Sequence, residues 1–275
     1  MADVKLALTI AGSETSGACG MQADLKTFEE YGVYGLVALT SIVTMDPENG
    51  WAHDVYPIDL HLLKKQLKTA LSGRKINAMK TGMLASLEVI ELVRSTIDQH
   101  HLQNVVIDPV MVCKGENTPL NVDAANALRD ILLPVADITT PNLFEAGILS
   151  GLGTLKSVDD MKAAAQKINA LGAKCVVVKG GRALPGDVAT DVFFDGKEYL
   201  LLEKPKIQDA SNNGAGCTFA AAVTAGLATG LSIPAAVVKA KAFVYAAIKH
   251  GFRFNQYIGQ VYHGGCRVEA ELPNS

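Results

Sequence analysis

The chain reads as an α/β protein built on a mostly parallel sheet with antiparallel edge strands. Two observations predict this: buried β-branched runs alternate with amphipathic segments along most of its length, and an Asp195-Gly196 hairpin breaks the alternation. At 275 residues and 49% apolar content the chain can bury a large core, and it is expected to form one domain over 1–275. The formal net charge is −3 and no basic cluster is long enough to track a nucleic acid, so nucleic acid and anionic membrane are excluded as expected partners. The start, Met-Ala-Asp-Val-Lys, lacks the pattern of a secretory leader, and no apolar run approaches the roughly 18 residues of a membrane span. Five cysteines with no Cys-x-x-Cys pair argue against a disulfide framework or zinc site and for a cytoplasmic protein with free thiols.

Lys5 to Ile10 reads as the first strand and Met21 to Tyr31 as the helix after it. Between them, the glycine-rich polar stretch from Gly12 to Gly20, with Ser13, is longer than a simple turn needs and is expected to close over a small polar ligand. Leu36 to Thr44 is a second strand, broken by turn chemistry from Met45 to Gly50, with His53 just beyond. A lone histidine there is either a surface residue or a ligand contact. Leu60 to Leu71 has helical spacing, Ala78 to Leu84 is a buried strand running into a loop at Met83, and Ser86 caps a helix to Gln99. Val105 to Ile107 is a buried parallel strand that ends on Asp108, either a cap or an acidic group at the ligand-binding end of the sheet.

Asn121 to Leu133 is expected to be helical and Asp137 to Thr140 a short strand. Asn142 and Glu145, three apart at the next helix start, form either a capping box or part of a site. Ser157 to Leu171 is a helix, and Cys175 to Gly181 is a buried strand whose end carries Lys179. The hairpin from Asp191 to Leu202 follows. Then Asp209-Ala-Ser-Asn-Asn-Gly-Ala-Gly-Cys-Thr-Phe219 runs into an alanine-rich helix expected to begin near Cys217. Gly214, Ala215 and Gly216 are small enough for backbone N–H groups to converge on an anion, and Cys217 stands in the positive field of the helix end, where a thiol ionises more readily. A second alanine-rich helix runs from Ile233 to His250, and the tail beyond Asn255 is polar.

Asp108, Asn142, Glu145, Lys179 and the Gly214 to Cys217 turn all fall on one side of the inferred sheet. They supply carboxylates for a metal, a cation for phosphates, an anion-holding turn and a base, the requirements of phosphoryl transfer to an alcohol. Neither a Gly-x-x-x-x-Gly-Lys-Ser/Thr loop nor a Gly-x-Gly-x-x-Gly after the first strand is present. The stretches Leu8-Thr-Ile-Ala-Gly-Ser13, Gln22-Ala-Asp-Leu-Lys-Thr-Phe28, Lys80-Thr-Gly-Met-Leu84, Asp108-Pro-Val-Met111, Thr140-Pro-Asn-Leu-Phe-Glu-Ala146 and Gly214-Ala-Gly-Cys-Thr-Phe219 occur in order along nearly the whole chain. Together they resemble the hydroxymethylpyrimidine kinase branch of the ribokinase-like superfamily.

This resemblance implies a three-layer α/β/α fold with ATP and substrate at the carboxyl ends of the strands. Within the branch it points to the bacterial dual-cysteine pyridoxal kinases. Met45 stands where the pyrimidine kinases carry a glutamine, Cys113 matches the second cysteine of these pyridoxal kinases, which adds to the substrate aldehyde, and Asn255-Gln-Tyr-Ile-Gly259 is similar to the C-terminal part of these pyridoxal kinases. The implied activity is ATP- and Mg²⁺-dependent phosphorylation of the 5′-hydroxyl of pyridoxal, with pyridoxine and pyridoxamine as further substrates. The alternatives are hydroxymethylpyrimidine kinase activity and an inactive nucleotide- or pyridoxal-binding regulator. By the same resemblance Cys217 is the base and Gly214, Ala215 and Gly216 hold the γ-phosphate. Gly12, Ser13, Met45, His53, Met83 and Val110 line the substrate pocket, while Asn142, Lys179, Gly181, Gly214 and Thr218 face ATP. Asp108 and Glu145 organise Mg²⁺, and the protein is a homodimer. Three residues depart from the family pattern: Asn213 stands in place of a histidine, Cys19 in place of a small residue, and Gln260 in place of a proline.

Overall fold

The computed structural model describes residues 3–111 and 122–271. In chain order the first half comprises β1 (Leu6–Glu14), α1 (Gly20–Glu30), β2 (Tyr34–Asp46), β3 (Ala52–Pro57), α2 (Leu60–Leu71), β4 (Ala78–Thr81), α3 (Leu87–His100) and β5 (Val105–Ile107). The second half comprises α4 (Val122–Ala127), β6 (Ile138–Thr139), α5 (Leu143–Ser150), α6 (Val158–Ala170), β7 (Cys175–Lys179), β8 (Val188–Phe194), β9 (Tyr199–Pro205), α7 (Ala215–Ala228), α8 (Ile233–Lys249), β10 (Phe252–Arg253), β11 (Gly259–Gln260) and α9 (Gly265–Glu271). Nine strands form one sheet in the order β3-β2-β1-β4-β5-β6-β7-β8-β9. The six from β2 to β7 are parallel, β3 at one end and β8 at the other run antiparallel to them, and β9 pairs antiparallel with β8.

Alternating side chains divide between two apolar layers, as the period of two in a strand dictates. Leu8, Ile10, Met79 and Ile107 pack into the core under α2 to α6, whereas Ala7, Ala78 and Val106 face α7 and α8. The central strands are therefore buried on both faces, which is why they read as continuous apolar runs. Helix α7 is sequestered along nearly its whole length, and its small residues permit close approach to α8. A methyl added at Gly226 would stand only 3.0 Å from Ala236 Cβ. Helix starts follow the capping chemistry: Ser86 Oγ accepts from Val89 N, and Ser157 and Asp160 form a reciprocal capping box.

The structure departs from expectation at several ends. β1 continues through Ser13 and Glu14, and β2 continues through Met45 to Asp46, because β3 pairs with residues Ser41 to Asp46 and carries the ladder outward. Asp46 then closes the turn by accepting Glu48 N at its carboxylate and Trp51 N at its carbonyl. The helix expected over 121–133 is regular only in α4. It widens into an i→i+5 turn over Leu128–Leu132 and tightens at Leu133–Val135, where Pro134 withholds a donor. α7 begins at Ala215, two residues before Cys217, and the tail forms the β10–β11 ribbon and α9.

Candidate active site

Five parallel strands deliver four polar residues and a glycine to the same edge of the sheet, where the chain leaves each strand at its carboxyl end. β5 presents Asp108, the strand of Ile138–Thr139 presents Thr140, and β7 presents Lys179; β1 and β4 bring Glu14 and Gly82. Asp108 Oδ1 accepts from Thr140 Oγ1 at 3.0 Å and from Lys179 Nζ at 3.2 Å. Burial disfavours charge on Lys179, but the carboxylates of Asp108 and Glu145 outweigh it and hold the ammonium above its ordinary range.

Asn142 and Glu145 do form a capping box: Glu145 N donates to Asn142 Oδ1 at 2.9 Å, and Asn142 N donates to Glu145 Oε2 at 2.8 Å. The cap does not exclude a second role. Burial pushes the Glu145 carboxyl up to about 7, with the Lys179 ammonium pulling down and Asp108 pushing up. Two carboxylates that oppose each other's ionisation make a setting a hard cation would relieve.

Facing them is the first turn of α7. Gly214 has φ +89°, and a Cβ there would stand 1.9 Å from Ala18 O, so only glycine fits between the turn and the first loop. Lys179 Nζ lies 3.4 Å from where a Gly216 Cβ would be, placing a cation beside the helix start, where Ala215 N donates to Asn212 O at 3.2 Å. Behind the turn, Thr218 Oγ1 donates its one hydrogen to Gly214 O at 2.8 Å. Its contact with His263 Nε2 at 3.0 Å must then be donated by the imidazole. Burial holds His263 down to about 4, so the ring is neutral near pH 7 with Nε2–H fixed as the donor.

Cys217 opens onto the same cavity. Cys19, as a hydrogen-bond donor to the ionised sulfur, draws the Cys217 thiol below the ordinary range; burial opposes this and the Lys80 ammonium assists. Lys80 is itself fully buried and paired with Asp24 Oδ1 at 2.9 Å, while Asp24 Oδ2 accepts from Thr9 Oγ1 at 2.6 Å.

The cavity encloses about 680 Å³. Its wall includes Gly12, His53, Met83 and Val110, together with Asp108, Asn142, Glu145, Lys179 and Gly181, and Gly214, Ala215, Gly216 and Cys217 of the α7 start. Three expected site residues lie outside the wall. Ser13 Oγ instead accepts from Gln22 Nε2 at 2.7 Å, and Met45 is held in the ladder opposite His53, on the strand face of Val43 but one step beyond it. Thr218 is fully buried behind the turn. Cys113 lies outside the described residues. Residues not anticipated include Glu14, Asp191 and Lys241 on the wall and the Asp24–Lys80 pair beneath it. A lysine inside the buried run Ala78 to Thr81 was the one available signal, since a cation there requires a partner.

The sequence profile of the phosphomethylpyrimidine kinase family matches residues 14–262. The pyridoxine kinase of Bacillus subtilis is 53% identical over 265 residues, covering 96% of this chain and 98% of that protein. The structure of pyridoxal kinase from Staphylococcus aureus in complex with AMP-PCP and pyridoxal superposes with a TM-score of 0.91 at 49% identity, covering 97% of this chain and 96% of that one. The hydroxymethylpyrimidine/phosphomethylpyrimidine kinase of B. subtilis is more distant, at 38% identity over 244 residues and 89% of each chain.

Proposed function

The chain belongs to the phosphomethylpyrimidine kinase family, and from that premise we propose that it is a pyridoxal kinase, transferring the γ-phosphoryl group of ATP to the 5′-hydroxyl of pyridoxal. The observation that carries the reading is the convergence of the Lys179 ammonium, the Asp108 and Glu145 carboxylates, the α7 N-terminus and the Cys217 thiol on one cavity. The backbone N–H groups of Gly214 to Gly216 hold the oxygens of the transferred group, and Lys179 offsets their charge. Cys217, as thiolate, takes the proton of the attacking hydroxyl. Asp108 and Glu145 would hold Mg²⁺ as oxygen ligands, directly or through water, and that ion would neutralise phosphate charge when bound.

Met83, Val110 and His53 form the acceptor end of the cavity, while Gly181 and Asn142 serve the nucleotide end. A cytoplasmic homodimer completes the reading. Exposed Tyr34, Ile42 and Tyr56 at the β2–β3 edge support it, and light scattering on the purified protein tests it. For the activity, the protein is assayed with Mg-ATP on pyridoxal, pyridoxine, pyridoxamine and hydroxymethylpyrimidine side by side. Highest kcat/KM on pyridoxal or its vitamers is expected. Efficient turnover of hydroxymethylpyrimidine with none of pyridoxal would assign the chain to the thiamin side of its family instead.

A further inference from the structure

Five side chains form an unbroken hydrogen-bonded line from the Glu14 carboxylate to the thiol beside Cys217. Ser16 Oγ contacts Glu14 Oε1, Gln260 Nε2 lies 2.8 Å from Ser16 Oγ, and Asn213 Nδ2 lies 2.8 Å from Gln260 Oε1. Cys19 Sγ stands 3.6 Å from Asn213 Oδ1. Asn213 and Gln260 are 5% and 2% exposed, so water cannot substitute for these partners and their geometry is fixed.

The direction of every bond follows from the carboxylate, which only accepts. Ser16 must give its one hydroxyl hydrogen to Glu14, so its oxygen accepts from Gln260. Gln260 therefore turns its NH₂ toward Ser16 and its carbonyl toward Asn213. Asn213 likewise gives its NH₂ to Gln260 and offers Oδ1 to Cys19. The Cys19 S–H thus has a resting acceptor at a long, weak distance, while Cys217, whose charge acts on it as that of Glu14 does, lines the same cavity wall. The backbone holds the first loop against the start of α7, because Ala18 O abuts Gly214 so closely that no side chain fits between them.

We propose that Cys19 is a positioning residue for the catalytic base: its S–H rests on Asn213 Oδ1 and swings to the Cys217 sulfur when that sulfur gives up its proton. A charge-assisted bond to a thiolate is stronger than a neutral bond to an amide oxygen, so the swing follows ionisation of Cys217. The other charged groups around Cys217 are Lys80 of β4 and Lys179 of β7, which favour the thiolate, and Asp24 of α1 and Asp108 beyond β5, which oppose it. Hydrogen bonding with Cys217 and burial, with a smaller push from Glu14, keep the Cys19 proton in place and make this thiol the donor of the pair. The proposal rests on the reading of Cys217 as base.

The test is the pH dependence of Cys217 alkylation by iodoacetamide in the nucleotide-free protein, with each cysteine peptide resolved by mass spectrometry, beside kcat/KM for pyridoxal over the same range. Cys19→Ala is expected to raise the alkylation midpoint by about one pH unit, and Cys19→Ser, which keeps a donor, to restore most of it. The acid limb of kcat/KM should move with the midpoint. An unmoved midpoint in Cys19→Ala, or an equal shift in both variants, overturns the proposal. A midpoint that moves while the acid limb stays fixed supports the pairing of the two thiols and overturns the reading of Cys217 as base.

Discussion

Lys241 Nζ lies 2.7 Å from Asp191 Oδ2, and the other oxygen of Asp191 accepts the backbone N–H of both Gly180 and Gly181 at 2.9 and 3.2 Å. One buried carboxylate thus ties α8 to the glycine turn that follows Lys179. Gly180 has no room for a side chain, since a Cβ would meet Thr190 O at 2.3 Å, and Gly181 sits at φ +53°. The turn therefore depends on Asp191 to hold its shape on the cavity wall, where the proposed function puts the nucleotide. Asp191→Ala is expected to raise KM for ATP about tenfold, equivalent to roughly 1.4 kcal/mol, while KM for pyridoxal changes little. Initial-rate measurements varying each substrate in turn check this.

Cys217→Ala removes the proposed base and leaves the backbone N–H groups of the Gly214 to Gly216 turn in place. kcat should fall by about 10²–10⁴-fold, with nucleotide affinity by calorimetry within a few-fold of the parent. Activity surviving at the parent level would place the base elsewhere.

The Asp24–Lys80 pair is fully buried on both sides. Lys80→Met leaves the Asp24 carboxylate in a dry core with only Thr9 as donor, and stability should drop by about 3–5 kcal/mol in urea denaturation. Adding Asp24→Asn to Lys80→Met removes the stranded charge and should recover part of that loss.

Glu145 gives the nucleotide-free protein a pH signature. Its folded value near 7 lies above the ordinary 4.5, so the folded chain binds this proton more tightly than the unfolded one. The resulting stability is fully present below about pH 4.5 and is lost as pH rises toward 7. Relative to Glu145→Gln, the parent should lose up to about 3 kcal/mol across that window, read from melting curves at successive pH values. Saturating Mg²⁺, which favours the ionised carboxylate, should flatten the difference.

The succession of strands along the chain, their buried runs and the helix starts at Ser86, Asn142 and Ser157 were legible because each depends on residues close in sequence. So were Asp108, Lys179 and the Gly214 to Cys217 turn, since strand ends and helix starts announce themselves locally. β3, the β10–β11 ribbon and the brace at Asp191 were not, because their partners lie far along the chain or in the backbone of another element. Ser13 and Thr218 illustrate a different limit. Sequence placed them beside the site, but a nearby partner, Gln22 in one case and Gly214 O in the other, claims each hydroxyl. Cys19, Asn213 and Gln260 stood out one by one as departures from the family pattern, and only the fold shows that they are consecutive links in one line.

That line joins Ser16 to Gln260, positions 244 residues apart. During synthesis, at about 5–20 residues per second, the first loop therefore waits tens of seconds for the ribbon that fixes it. Until then the thiol pair has no anchored amide behind it, and the nascent chain carries an incomplete cavity. Ligand is expected to stabilise the finished chain and not its growing precursor, which makes pyridoxal or nucleotide useful as a refolding additive only at the last step.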